Sequence, residues 1–203
     1  MSKQRSSRDQ QMRLRIAQEA ARLMAEDGQL DFYNAKRKAA ERLGADDTHN
    51  MPQNHEVDEA LQAYQRLFKT DSHPQHLRHL RQTALEAMQL FADFHPYLTG
   101  PVLMGTAGPH SEVQLQLYAP SIETVLFFLI DQGIPYQQSE VLLRFNGGEQ
   151  AFPCLHFIAG EDTIELVILP ETRLRPAPKS PLDGKPMKRA RANELQELLQ
   201  QES

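Results

Sequence analysis

Cysteine is almost absent from these 203 residues; Cys154 is the single thiol. One cysteine excludes an intrachain disulfide framework, and no cysteine-based zinc site is expected. It suits a soluble protein of a reducing, cytoplasmic compartment. No apolar run approaches the roughly 18 residues of a membrane span, so no membrane partner is expected. The basic start, Met1 to Arg15, has no apolar stretch behind it and does not read as a secretory signal. There is no P-loop Gly-Lys-Ser/Thr and no Gly-x-Ser-x-Gly elbow. A net charge of -5 argues against wholesale coating of nucleic acid.

What is present suits one domain, or one domain with a small helical appendage. Apolar residues make up 40% and charged residues 24%, enough for a packed core. The charge is uneven. Residues 1–42 hold ten basic against six acidic side chains, and residues 171–203 hold seven against five. Between them, 43–72 hold two against six and 73–170 three against ten. Both ends are basic around an acidic middle, as solvated ends or as surfaces that meet phosphate.

The hydrophobic pattern sets the organisation. Residues 1–10 read as a disordered basic tail. A helical region, 11–70, follows: helices from about Gln11 to Glu26, Phe32 to Leu43 and His55 to Phe68. Asp27-Gly28 ends the first, Gly44 caps the second and Asn54 caps the third. After the hinge 69–74, a longer helix spans about Gln75 to Phe94. The texture then changes to strands. One is expected within Tyr97 to Met104, starting from Pro101, followed by a small-residue turn, Gly105-Thr106-Ala107-Gly108-Pro109. Residues 112–118 alternate polar and apolar, a half-buried strand. A helix from Ser121 to Gln132 is closed by Gly133. Strands 141–145 and 152–158 flank Asn146-Gly147-Gly148, a hairpin signal. A last strand runs from Thr163 to Leu169. Residues 71–170 thus form one α+β domain, a mixed sheet backed by helices. Residues 171–203 read as a basic extended tail with a short helix capped by Asn193.

Period two puts Glu112, Gln114 and Gln116 on one strand face. Glu165 interrupts an apolar run in the last strand. If the two strands are neighbours, Glu112, Gln114 and Glu165 converge. Phosphoryl transfer uses such a set, in which hard oxygen ligands hold Mg²⁺ or Mn²⁺ against a triphosphate. Small residues in a turn let backbone N–H groups approach phosphate oxygens.

These residues carry a resemblance. From about residue 75 to 170 the chain resembles the nucleotidyltransferase superfold, also called polymerase-β-like. That family has a helix, a strand, a Gly-Ser turn, a strand bearing Ser-Asp-hydrophobic-Asp-hydrophobic, a helix, and a later strand with a third carboxylate. Gly105-Thr106 stands at the Gly-Ser position, Ser111-Glu112-Val113-Gln114-Leu115 at the second motif, and Glu165 at the third carboxylate. The resemblance implies a catalytic set of Glu112, Gln114 and Glu165. It implies a metal on Glu112 and Glu165, and phosphate contacts from Gly105, Thr106 and Ser111. The chain departs from the pattern with Glu112 for the first aspartate and neutral Gln114 for the second, a degenerate carboxylate motif. Two functions are therefore expected to compete. One is metal-dependent transfer of a nucleotidyl group from an NTP to an acceptor. The other is a catalytically degenerate module of the same fold that binds a nucleotide, a nucleic acid or a protein.

Other candidates carry less. His76 and His79 share a helix face, and His110 precedes the strand at 112, but neither pattern needs a metal or a phosphate. Cys154 reads as an inert core thiol, and His156 as packed or solvent-facing. Arg13, Arg15 and Arg22, with Lys36, Arg37, Lys38 and Arg42, partly match a helix–turn–helix reader, yet the third helix opens acidic. A nucleic-acid or protein partner would use these basic ends, with the tail residues Arg173 to Arg191 free to fold back over a triphosphate.

Overall fold

A computed structural model describes residues 2–26, 31–45, 51–67 and 72–201. The described residues form an α+β protein of seven α-helices and one five-stranded mixed sheet, with a helical region preceding the sheet. They fall into two compact units.

The first unit holds three helices, α1 (Ser2–Glu26), α2 (Phe32–Arg42) and α3 (Asn54–Leu67). Its core is small and alanine-rich: Ile16, Ala17, Ala20, Ala21, Ala35, Ala39 and Val57 are each at most 1% exposed. Helix α1 starts at Ser2, so residues 2–10 continue the helix instead of forming the expected disordered tail. No glycine or proline lies between Ser2 and Glu26 to stop it. Asp31 caps α2 by accepting the Asn34 N–H at 2.7 Å. Gly44, at φ 61°, turns the chain just beyond Leu43. Asn54 is the first residue of α3, not its cap. The Glu56 carboxylate accepts the Gln53 N–H at 2.6 Å instead, half of a capping box. The Asp27-Gly28 stop, the loop 46–50 and residues 68–71 lie outside the described residues.

The second unit opens with α4 (Ser72–Leu90) and a 3₁₀ turn at Ala92–Phe94. Then come β1 (Tyr97–Thr99), α5 (Gly100–Met104), β2 (Val113–Ala119), α6 (Ile122–Asp131), β3 (Gln137–Phe145), β4 (Gly148–Ala159), β5 (Asp162–Pro170) and α7 (Ala192–Gln201). The sheet order is β1-β2-β5-β4-β3. Only β2 and β5 pair in parallel; the other neighbours are antiparallel. The Asn146-Gly147 turn closes the β3–β4 hairpin as its sequence predicts.

One face of the sheet is apolar. Leu98, Val113, Leu115, Leu117, Leu155, Ile164 and Leu166 pack there with Leu80, Ala84, Met88 and Phe91 of α4, and with Leu129, Leu195 and Leu199. The opposite face divides along the strands. At one end Tyr97, Tyr118, Phe145, Phe152, Val167 and Leu169 form a second apolar cluster. At the other end the strands present polar side chains.

Three expectations are corrected here. The strand expected from Pro101 is the short helix α5. Gly100, at φ 70°, swings the chain out of β1, and Pro101 supplies the fixed φ of a first helical turn. The strand at 112–118 is not half-buried. Helices pack on its apolar face, and Tyr97, Tyr118 and Met187 crowd the other, so Gln116 is only 2% exposed. Residues 171–201 do not trail away. Ala190 bridges to Leu98, and the Arg189 guanidinium lies 4.6 Å over the Tyr97 ring. Arg189 donates to the Tyr118 hydroxyl and to the Leu174 and Arg175 carbonyls. Arg191 Nε donates to the Tyr97 hydroxyl at 2.9 Å. The Arg191 N–H is accepted by Glu194 at 2.6 Å, so Glu194, not Asn193, caps α7. No helix among the described residues is long and apolar enough to cross a membrane.

Candidate functional site

The parallel pairing of β2 with β5 sets the site. Val113 lies beside Ile164 and Gln114 beside Glu165, so the polar positions of both strands share a face. Antiparallel β4 then places His156 directly across from Glu165 and Cys154 across from Val167. One row of the sheet therefore reads Thr99, Gln114, Glu165, His156, Gln137 from β1 to β3. Glu112 stands one step before β2 on the same face.

The electrostatics follow from this crowding. Glu165 is pushed up to about 7, first by burial and then by the Glu112 charge. The Cys154 thiol, 2% exposed, is pushed up to about 12 by burial and next by Glu165. His156 sits among these groups. Its Nδ1 lies 3.6 Å from Glu112 Oε2, and its Nε2 lies 2.9 Å from Ser139 Oγ and 3.5 Å from Cys154 Sγ. One ligand atom each from Cys154, His156 and Glu165 falls within 4.8 Å of the others. Two groups expected to be packing residues thus share a cluster with the third predicted carboxylate.

The remaining predicted residues are placed differently. Gln114 leans away from Glu165. Its side-chain oxygen packs over Gly100 on the β1 side of β2, where an added Cβ would lie 2.0 Å from it. Gln116 is buried, donating to Met187 Sδ at 3.4 Å and accepting from the Tyr118 hydroxyl at 3.2 Å. Gly105, at φ 76°, ends α5, and its N–H donates to the Pro101 carbonyl. The Thr106 N–H donates to the same carbonyl at 2.9 Å. Both backbone donors expected to cradle phosphate are thus used to close a helix. Ser111 lies in the loop before β2, half-buried.

On α4, His79 Nε2 pairs with Asp162 at 3.0 Å, and among the described residues neither His76 nor His79 joins a group of three metal-ligating side chains. The basic residues of the first unit largely face carboxylates of their own unit. Arg13 binds Glu56 through Nε and Nη2, Arg22 binds Glu19 and Glu26, Arg42 binds Glu19, and Lys36 donates to Asn54 at 2.8 Å. A groove of about 740 Å³ in that unit, lined by Arg13, Leu14, Glu56 and Tyr64 among others, contains none of the predicted site residues. Comparison with protein-family models, with curated proteins and with solved structures finds no match.

Proposed function

We propose that this is a nucleotidyltransferase-type protein whose polar sheet face holds a nucleoside triphosphate through one divalent cation, Mg²⁺ or Mn²⁺, on Glu112 and Glu165. The observation that carries this reading is the β2–β5 pairing. It brings two carboxylates to one face so closely that burial and the Glu112 charge hold Glu165 at about 7. A cation between them relieves that repulsion, and a triphosphate supplies the hard oxygens that complete its shell.

Two observations favour binding over two-metal nucleotidyl transfer. Gln114 is neutral and turned onto Gly100, so the second ligand of a metal pair is missing. The Gly105 and Thr106 N–H groups are bonded to Pro101, leaving phosphate recognition to the cation and to Ser111. The reading is therefore a nucleotide-holding module of this fold with reduced transfer chemistry, in a cytoplasmic setting. A nucleic-acid or protein partner at the basic ends belongs to the same reading. Arg189 and Arg191 are stacked on Tyr97, so the tail's share falls to side chains such as Lys179 and Lys188.

Calorimetry with NTP and Mg²⁺ or Mn²⁺ tests it. Metal and nucleotide are expected to bind cooperatively, and Glu165→Gln to lose both. At a hundred times Kd the nucleotide stabilises by roughly 2.7 kcal/mol. Gln114→Asp is expected to gain little, because position 114 faces Gly100. No nucleotide binding with either metal, in wild type and in Gln114→Asp alike, defeats the reading.

A further inference from the structure

The polar face carries soft ligands as well as hard ones. Cys154 and His156 are two residues apart on β4 and point to the same side, and Glu165 is the direct cross-strand partner of His156. A tetrahedral Zn²⁺ with its usual bond lengths sets sulfur and nitrogen ligands about 3.5 Å apart. Cys154 Sγ and His156 Nε2 lie 3.5 Å apart. The Glu165 carboxylate is within 4.8 Å of both ligand groups, so a side-chain rotation brings it to the ion.

The surroundings match as well. A zinc-bound imidazole directs its other nitrogen to a carboxylate, which fixes the ring and raises its basicity. Here Nε2 faces the thiol while Nδ1 faces Glu112 Oε2 at 3.6 Å. Ser139 Oγ, 2.9 Å from Nε2, is the group an entering ion displaces. The positions are held firmly: Cys154 is buried in the second apolar cluster, and His156 and Glu165 sit on paired strands rather than loops.

We infer that Cys154 Sγ, His156 Nε2 and the Glu165 carboxylate form a zinc site, with Glu112 as the carboxylate that orients His156. Three protein ligands leave the fourth position of the tetrahedron to water or to an incoming donor atom, the open type of zinc site. Binding releases the thiol proton to solvent and forms a Zn–S bond, with no change of oxidation state. A thiolate and an imidazole select Zn²⁺ over Mg²⁺, whereas Glu112 and Glu165 alone suit the harder ion. This inference does not need the nucleotide reading. The two share Glu165, so Zn²⁺ on the thiol side and Mg²⁺ with nucleotide on the Glu112 side exclude one another.

Titration of the metal-free full chain with Zn²⁺ and with Co²⁺ tests the site. One ion per chain is expected. The cobalt form is expected to show the intense visible bands of a tetrahedral ion and a thiolate charge-transfer band. Cys154→Ser should lose that band, and Cys154→Ser and His156→Ala should each weaken Zn²⁺ at least tenfold. Glu112→Gln should weaken it about tenfold. Cobalt spectra of wild type without a thiolate band overturn the site, whatever the variants do. So does wild-type zinc affinity in both Cys154→Ser and His156→Ala. Magnesium–nucleotide titration of Cys154→Ser separates the readings. Zinc lost with nucleotide retained supports the thiol side as a site of its own. Nucleotide that displaces no zinc from wild type overturns the shared role of Glu165.

Discussion

The two faces of the sheet solve opposite problems with the same strands. On one, Leu115, Leu155 and Leu166 stand side by side across β2, β4 and β5, fully buried beneath helices. On the other, one position along, Gln114, His156 and Glu165 stand in an equally tight row. The apolar face gains from crowding, because each neighbour removes more surface from water. The polar face loses from it, because burial and then the nearby Glu112 charge raise the cost of ionising Glu165. A fold that keeps such a row holds it against its own stability, which is why chemistry is sought there.

The sharpest way to break this contrast is at Leu166. Leu166→Ala removes a fully buried side chain from the centre of the apolar face and should cost about 2–5 kcal/mol in denaturant unfolding. Gln137→Ala, an exposed member of the polar row, should stay within about 0.5 kcal/mol. Equal losses at the two positions erase the distinction between the faces.

Glu165→Gln should act in the opposite direction. A carboxyl held at about 7 in the folded chain, against the usual 4.5, keeps its proton more tightly when folded. Its penalty is absent below about pH 4, grows as pH rises and is complete above 7. The metal-free variant should therefore be more stable than wild type at pH 8, by about 3 kcal/mol, and equal to it at pH 4. Urea titrations at both pH values read the difference, and a gain that does not depend on pH contradicts the charge-repulsion account.

Gly100→Ala tests how firmly Gln114 is held to the β1 side. The left-handed backbone alone should cost about 1–2 kcal/mol, and the new methyl must also displace the Gln114 amide. Adding Gln114→Ala should recover only the second part. Full recovery in that double variant would show that φ at Gly100 carries no strain.

Arg189→Lys should cost about 1 kcal/mol, less than the losses at Leu166 and Gly100. Lysine keeps the charge over Tyr97 but loses the planar fork that reaches Tyr118, Leu174 and Arg175. An unchanged thermal midpoint would indicate that the tail covers this end of the sheet without help from the guanidinium.

Much of this face was legible in the chain. The alternation at 112–118 and 163–169 puts Glu112, Gln114 and Glu165 on one side of neighbouring strands, and Asn146-Gly147 marks its hairpin. The helix at Gly100–Met104 was not, because a short apolar run has the same pattern in a strand and a helix. The Gly100-Pro101 pair was the available signal, a sharp turn followed by a preset helical φ. The role of Cys154 and His156 was hidden in register. Gly160-Glu161 is a two-residue turn, so Ala159 faces Asp162. Three positions further along each strand, His156 meets Glu165. Reading each strand by itself leaves that meeting out.

The connectivity of the sheet also orders its assembly. Val113 pairs with Ile164, 51 positions later, whereas β3, β4 and β5 are linked by two-residue turns. Long-range pairing carries the larger loop-closure entropy and comes late in folding, while local hairpins form in microseconds. The β4–β5 hairpin is thus expected to bring Cys154, His156 and Glu165 together before Glu112 joins them with β2. A nascent chain released up to residue 170 has the thiol, the imidazole and one carboxylate in hand, and a metal ion captured at that stage would be a folding nucleus as well as an occupant.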